Sequence, residues 1–488
     1  MSAPEANLAL ILHGHAASTP TRPALCDGAG EVSYGALSRA CDAMAARLWK
    51  HGLRPGHRVL LAVPMSVDLY VALIGCWQVG AVVVLVEPGL DRPALRSALE
   101  RARPSALIGV PLALAWALTL PELRHVRHRL AVTGRSSLEH DGRRHAAFPV
   151  ASEAPALLTF TSGTTGPPKG IVRSHAFLWG QHRAVQRALG TAPMDRELLG
   201  LPVFVLSTLA SGATAVLCPV SARVDATPLD DVLRLALQQR ITTVSTSPAL
   251  ALRLAARLGA THTRLRGVTT VNVGGAPVAP SDVARLSAAF PDAVVRVVYG
   301  STEAEPISHV EGFDAASTEA TRHGAGLCVG APVDAVALRL AQNGEILVSG
   351  AHVNGAYLDD PEAERHHKVI DEDGTRWHRT GDVGRVDGTG RLWLLGRLEQ
   401  VIVRGGQVLH PLAVEMAARE ALGLQRTALV EHRDRITLVV EGRTDLGRAR
   451  QVHASIERVV TVEAIPVDVR HNGKVDVRRL RALLDASA

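Results

Sequence analysis

An apolar run, Leu157-Leu158-Thr159-Phe160, leads directly into Thr161-Ser162-Gly163-Thr164-Thr165-Gly166-Pro167-Pro168-Lys169-Gly170. These residue types suit the binding of a polyphosphate. Glycines let backbone N–H groups come close to phosphate oxygens, hydroxyls add further donors, and a lysine supplies a mobile positive charge. The segment is not a Walker A loop, because Pro168 precedes the lysine and Gly170 stands where a magnesium-binding Ser or Thr would be. Lysine usage sharpens the reading. The chain has only four lysines, Lys50, Lys169, Lys368 and Lys474, among 53 Lys and Arg residues. Lys169 and Lys474 both lie in glycine-flanked loops, and a compact ammonium suits a narrow site aimed at one oxygen better than a planar guanidinium does.

Two further constellations could complete a nucleotide site. Val298-Tyr299-Gly300-Ser301-Thr302-Glu303 follows one expected strand, and Gly274-Gly275-Ala276-Pro277 follows another. A carboxylate and a hydroxyl at such a strand end could hold Mg²⁺ against phosphates, and a bare Gly-Gly backbone lets a flat base lie close. Thr380-Gly381-Asp382 comes next, then Gly396-Arg397 and Arg404-Gly405-Gly406-Gln407. Ionised Asp382 is an acceptor only, suited to both hydroxyls of a ribose. Taken singly, Glu303 also reads as a loop carboxylate and Asp382 as an ordinary turn residue. It is their combination that points to a nucleotide.

The elements that must position these residues alternate. Helices are expected over 37–50, 66–79, 229–239 and 280–289, and strands over 58–63, 81–86, 213–217, 242–245, 268–273 and 294–298. This is an α/β pattern of parallel sheets with helices on both faces, whose ligands sit at the carboxyl ends of strands. After Gly300, short strand-like pieces at 344–349, 383–386 and 391–395 suggest a β subdomain. Beyond a boundary near Gly396 a small α+β unit is expected, with strands at 400–404, 426–430, 436–441 and 466–470 and helices at 411–421 and 447–458.

Composition narrows the class. At 488 residues the chain needs at least two domains, and 47% hydrophobic with 20% charged residues describes a compact protein rather than a disordered one. Aromatic residues make up 3%, too few for base-stacking platforms, so no nucleic-acid partner is expected, and the cluster Arg124–Arg129 reads as a solvated face. The net charge of +6 mildly favours an anionic ligand. Five cysteines, widely spaced and with no CxxC pair, suggest neither a disulfide framework nor a zinc site and fit a reducing cytoplasm. The apolar run Leu69–Val86 is broken by Gln78 and Gly80, so it is read as a buried helix and a buried strand rather than a membrane span.

The motifs in this order resemble the superfamily of acyl-CoA synthetases, nonribosomal adenylation domains and luciferases, from Gly52-Leu53-Arg54-Pro55-Gly56 to Asn472-Gly473-Lys474. The loop at 161–170 is highly specific for that group. The resemblance implies a large N-terminal domain, residues 1–395, of αβα layers with a β subdomain, then a hinge at 396–400 and a small mobile α+β lid at 401–488. ATP and Mg²⁺ are the implied cofactors. Thr161, Ser162, Gly163, Thr164, Thr165 and Gly166 with Lys169 would surround the phosphates, Glu303 would hold Mg²⁺, and Thr302 would lie near the α-phosphate. Tyr299, Gly300, Gly275 and Ala276 would line the adenine, Asp382 and Arg397 the ribose, and Lys474 would bridge the acid's carboxylate and the α-phosphate.

Several residues depart from that pattern or refine it. Phe204 and Val205, with Gly274, stand at the acid pocket, where amino-acid-activating domains carry an ammonium-binding aspartate. Without a carboxylate an amino-acid substrate is disfavoured, although the pair also reads as plain core. The hinge position expected to be Asp is Glu399, and a lysine usual beyond it is Val403. Arg404-Gly405-Gly406 still matches acyl-CoA synthetases, which pass the acyl group to CoA or an acyl carrier protein. Val86-Glu87-Pro88-Gly89-Leu90-Asp91, Ile108-Gly109-Val110-Pro111, Gly324 to Gly330 and Pro466 to Lys474 resemble the β-lactone synthetases of bacterial olefin biosynthesis, in which a 3-hydroxy acid's own hydroxyl displaces AMP. The two fates of the adenylate stay open at this point, as does a non-catalytic adenylate-binding relative. The run Gly324–Gly330 is followed by Ala331-Pro332 and does not open a helix, which argues against a dinucleotide site.

Overall fold

The computed structural model describes residues 6–87, 89–134, 145–161, 168–221, 223–468 and 473–486. Packing divides the chain into two compact units. One comprises Met1–Ser245, Thr302–Glu305 and Ala351–His366, and the other Thr246–Ser301, Pro306–Gly350 and His367–Ala488.

In the first unit, strands Pro155–Thr161, Val82–Val86, Arg58–Ala62, Ala106–Gly109 and His128–Ala131 lie side by side in parallel. Lys169–Ser174 and Ala356–Tyr357 extend this sheet antiparallel at one edge. A second sheet runs Thr243–Thr246, Arg196–Leu199, Thr214–Leu217 and Pro23–Asp27 in parallel, with Gly30–Ser33 antiparallel at its edge. The strands carry continuous Val, Leu and Ile runs because both faces are covered. Helix Val67–Gln78 is buried at every position, which explains its apolar circumference. Gln78 at its C-terminal end donates through Nε2 to Asp42 Oδ1 of helix Tyr34–Lys50 at 2.8 Å. Helix starts follow capping chemistry: Ser33 Oγ accepts from Ala36 N–H ahead of helix Tyr34–Lys50, and Ser174 Oγ from Phe177 N–H ahead of helix His175–Leu189. The strand-plus-helix reading of Leu69–Val86 holds, and among the described residues no helix is long and apolar enough to cross a membrane.

In the second unit, Thr270–Gly274 pairs in parallel with Val294–Ser301, beside helices Pro248–Ala260 and Pro280–Ala289. An antiparallel sheet follows in the order Leu327–Gly330, Leu392–Arg397, Arg376–Val386, Glu345–Ser349, Ala337–Leu340, with Lys368–Ile370 also on Arg376–Val386. The Gly324–Gly330 run therefore feeds an antiparallel strand, not a βαβ turn. Near the C-terminus, Thr427–His432, Arg435–Glu441 and Arg458–Val462 form a three-stranded sheet. Alternation sorts its faces: Leu438 and Val440 pack with Val414 and Ala418 of helix Pro411–Leu422, and Val439 packs with Leu480 and Leu484 of helix Val477–Ala486.

The helix expected at 447–458 is shorter than the sequence suggests. It spans Leu446–Gln451, and Arg458–Val462 is a strand running parallel to Arg435–Glu441. Three β-branched valines and a threonine in Arg-Val-Val-Thr-Val fit a pleated surface better than a helix, and the sheet edge supplies the partner. Of the strand expected at 466–470, residues 469 and 470 lie outside the described residues, and Val467 makes an isolated antiparallel bridge to Val475.

Candidate active site

In the first unit, Lys169 opens strand Lys169–Ser174 and lies opposite Thr161 in the antiparallel pair, so the two ends of the phosphate-type loop are brought together. Ser162, Gly163, Thr164, Thr165 and Gly166 lie outside the described residues, as does the side chain of Thr161. The base of the loop is braced. Arg101 Nη1 donates to Pro168 O at 3.1 Å, while its Nη2 reaches Leu358 O at 3.1 Å and Asp360 Oδ2 at 2.7 Å. Against the upward push of its partial burial, the bond from Arg101, the Ala363 N–H and the nearby Lys169 charge hold the Asp360 carboxyl below the usual carboxylate range. Gly170 has a packing cause of its own: a Cβ there would lie 2.9 Å from Leu358 Cβ and 3.0 Å from Phe160 Cε1.

Glu303 is set by backbone and tyrosine contacts. Its carbonyl accepts Asn354 N–H at 2.6 Å, and Oε1 lies 3.4 Å from the hydroxyl of Tyr357. Burial pushes the Tyr357 phenol up, and the Glu303 carboxylate pushes it further, so Tyr357 stays a donor. The carbonyl of Thr302 accepts from Nη2 of buried Arg173 at 2.8 Å. Phe204 and Val205 sit on helix Pro202–Ala210. Val205 is fully buried, and Phe204 lines a narrow apolar cleft with Ile11, Trp179, His182 and Ser207. His182 Nδ1 is 3.0 Å from Ser207 Oγ, and burial lowers the imidazole's pKa, so it is neutral there.

In the second unit, strand pairing puts Gly274 opposite Val298. A Cβ on Gly274 would fall 2.7 Å from Val298 O, and Gly275 has φ +91°, so neither position tolerates a side chain easily. Ala276 follows directly on Gly275. Tyr299 is one strand residue beyond Val298, with Gly300 next to it. The Tyr299 hydroxyl donates to Asp382 Oδ2 at 2.7 Å, and Arg397 Nε lies 3.2 Å from Asp382 Oδ1. Asp382 and Arg397 are cross-strand partners. Burial and then the Asp382 charge push the Tyr299 phenol well above its usual range, which keeps its proton on that bond. The turn before Asp382 is fixed from behind: Gly381, at φ +72°, donates its N–H to Glu345 Oε1 at 3.2 Å, and Glu345 is paired with Arg379. Glu399 lies in a 3-10 turn, Leu398–Gln400, just past strand Leu392–Arg397.

Lys474 is exposed on a clamped backbone. Asp468 Oδ1 accepts the N–H groups of Gly473 at 3.1 Å and Lys474 at 2.7 Å, and Asp468 N–H returns to Lys474 O at 2.8 Å. The backbone of Lys474 is thus bonded to Asp468 through both its N–H and its carbonyl. The sequence gives no sign of Tyr357, Arg101, Glu345 or Asp468 as supporting residues, because each acts on a partner that only the fold brings near.

Residues 12–358 match the family described as AMP-binding enzyme. The chain belongs to that family. It is accordingly an ATP-dependent adenylate-forming enzyme of mixed α/β fold, with a large N-terminal and a smaller C-terminal domain. Over 506 residues it is 33% identical to the olefin beta-lactone synthetase of Stenotrophomonas maltophilia (strain K279a), covering 92% of this chain and 90% of that protein. Over 432 residues it is 31% identical to a feruloyl-CoA synthase of Amycolatopsis sp, covering 84% and 83%. Among solved structures, ATP-bound MatB from Rhodopseudomonas palustris matches with a TM-score of 0.82 at 22% identity, covering 98% of each chain, which speaks for the fold alone.

Proposed function

We propose that this adenylate-forming enzyme activates a 3-hydroxy fatty acid and closes the resulting acyl adenylate to a β-lactone. The observation that carries the adenylation half is the Asp382 carboxylate held between Tyr299 and Arg397. Each carboxylate oxygen has two acceptor positions, so one protein bond apiece leaves one on each oxygen for a ribose hydroxyl. The flat Gly274-Gly275-Ala276 backbone suits the adenine, and Lys169 with residues 161–166 suits the phosphates. Only four peptide links separate Tyr299 from Glu303, which limits their Cα atoms to ~15 Å and keeps nucleoside and phosphate determinants on one short stretch of chain.

Attack joins two anions. A carboxylate oxygen of the acid bonds to the α-phosphorus as the bond to the pyrophosphate oxygen breaks, and pyrophosphate leaves. Lys169 and Lys474 offset the repulsion and the charge that grows on the leaving group, which is electrostatic stabilisation rather than proton transfer. Thr302 lies near the α-phosphate in this reading. An oxygen-only carboxylate such as Glu303, beside a phenol donor, fits a hard divalent cation, and Glu303 would hold Mg²⁺. When bound, that ion supplies charge neutralisation at the phosphates. Phe204, Val205 and Gly274 would border the acid. In this reading residues 1–395 form the adenylating domain, 396–400 with Glu399 the hinge, and 401–488 the lid that carries Lys474. A cytoplasmic location completes it.

The second step follows from ring chemistry. A β-lactone is a four-membered ring, so its precursor must carry a hydroxyl on C3; that oxygen bonds to the acyl carbon, AMP departs, and the hydroxyl proton is released to solvent. The likeness to the olefin beta-lactone synthetase over 92% of the chain supports this fate. A second reading, transfer to CoA or an acyl carrier thiol, is favoured by the hairpin Ile402–Arg404 and Gln407–Leu409. Its turn residues Gly405 and Gly406 are exposed, as Arg404-Gly405-Gly406 would be in an acyl-CoA synthetase. The test is product analysis with ATP and a 3-hydroxy fatty acid, with and without CoA. Lactone without CoA is expected; a product that appears only with CoA, as a thioester, would refute closure.

A further inference from the structure

Strand Arg196–Leu199 carries a buried glutamate, Glu197, 3% exposed, followed by two buried leucines, Leu198 and Leu199. Both carboxyl oxygens are engaged. Ser245 Oγ donates to Oε1 at 2.5 Å from the neighbouring strand, and Thr208 Oγ1 donates to Oε2 at 2.6 Å from helix Pro202–Ala210. These lengths are those of hydroxyl bonds to a carboxylate. Burial of the group pushes its pKa up, and the two hydroxyl bonds oppose that shift.

A buried carboxyl is an expensive way to fill this place. Apolar side chains of similar volume usually stabilise such a site as well or better, so the glutamate contributes something other than net stability. What it does is fix a register. Thr208 lies four residues after Phe204 and three after Val205, on the same side of the helix, and its hydroxyl also lies 3.2 Å from Phe204 O. From the sheet, Glu197 and Ser245 therefore set the height and rotation of the turn that carries Phe204 and Val205.

We infer that Glu197 is a positioning residue for acid recognition, a two-pronged staple that holds the Phe204–Val205 turn of helix Pro202–Ala210 against the sheet. The inference rests on the proposed role of Phe204 and Val205 beside the acid. Tyr34 and Tyr70 also hold this helix, bonding Leu209 O and Pro202 O, but at its two ends. The Glu197–Thr208 bond ties a side chain of this helix directly to the sheet.

The test compares Glu197→Gln, Glu197→Leu and Thr208→Val, measuring KM for the acid and for ATP, chain-length preference, and hydrogen–deuterium exchange over 202–210. Glu197→Leu and Thr208→Val are expected to raise the acid KM at least tenfold, leave the ATP KM within twofold, flatten the chain-length preference and speed exchange in the helix. Glu197→Gln, which keeps one acceptor and gains one donor, is expected to stay within about threefold of the parent. An unchanged acid KM, or equal rises for acid and ATP, would overturn the staple. Exchange needs no substrate: if the parent protein activates no acid the functional reading falls, while unchanged exchange in Thr208→Val would sink the staple on its own.

Discussion

Tyr299 donates its phenolic proton to Oδ2 of Asp382 at 2.7 Å, while Arg397 approaches the other oxygen of the same carboxylate. The carboxylate is thus held in a fixed orientation with a free acceptor position on each oxygen, as an acceptor for ribose hydroxyls requires.

Asp382→Asn follows directly. An amide presents one acceptor and one donor where the carboxylate presents two acceptors, and it leaves Arg397 without its counter-charge. We expect the KM for ATP to rise about 10- to 100-fold, the equivalent of 1.4 to 2.8 kcal/mol. The fold should persist, since Asp382 is partly exposed. Steady-state kinetics at saturating acid checks this.

Gly170→Ala tests the packing of the loop's base. The added methyl meets Leu358 Cβ at 2.9 Å, in the turn after strand Ala356–Tyr357, and the Phe160 ring at 3.0 Å on strand Pro155–Thr161. Overpacking of this kind costs about 1–3 kcal/mol. Thermal unfolding should show a lowered midpoint, with ATP affinity reduced along with it.

Glu415, on helix Pro411–Leu422, offers a pH signature where that helix meets the C-terminal sheet. Its carboxylate accepts Leu429 N–H at 2.8 Å, and burial raises its pKa from 4.5 to about 7. A carboxyl whose folded pKa lies above its unfolded value binds more protons when folded. Its contribution is therefore whole below pH 4.5 and falls as pH climbs to about 7, by at most about 3 kcal/mol, then levels off. Glu415→Gln keeps the acceptor without the charge. Its stability relative to the parent should grow from pH 4.5 to 7 and stay constant above, as read by denaturant unfolding across that range.

Much of this was legible in the residue order. Helix Pro280–Ala289 matches its expected bounds because proline in the first turn and a 3.6-residue apolar period agree. The strands around Val82 and Val294 follow from β-branched runs. The helix expected at 447–458 stops at Gln451, and beyond it the β-branched run Arg458–Val462 pairs in parallel with Arg435–Glu441, a partner that residue order does not name. The site divides in the same way. Tyr299, Asp382, Arg397 and Glu303 stand in recognisable motifs. The Tyr357 hydroxyl beside Glu303, the Arg101 brace, the Asp468 clamp on Lys474 and the Glu197 staple depend on contacts that sequence spacing does not encode, and Gly170 owes its small size to Leu358, nearly two hundred residues away.

The most direct test of the central claim is ATP–pyrophosphate exchange with 3-hydroxy fatty acids, run on the parent enzyme and on Lys474→Ala with ATP binding measured in parallel. Acid-dependent exchange is expected in the parent, and a fall of about 10²- to 10³-fold in the variant with ATP still bound. Exchange at near-parental rate in Lys474→Ala, or none in the parent with any acid, would contradict the account.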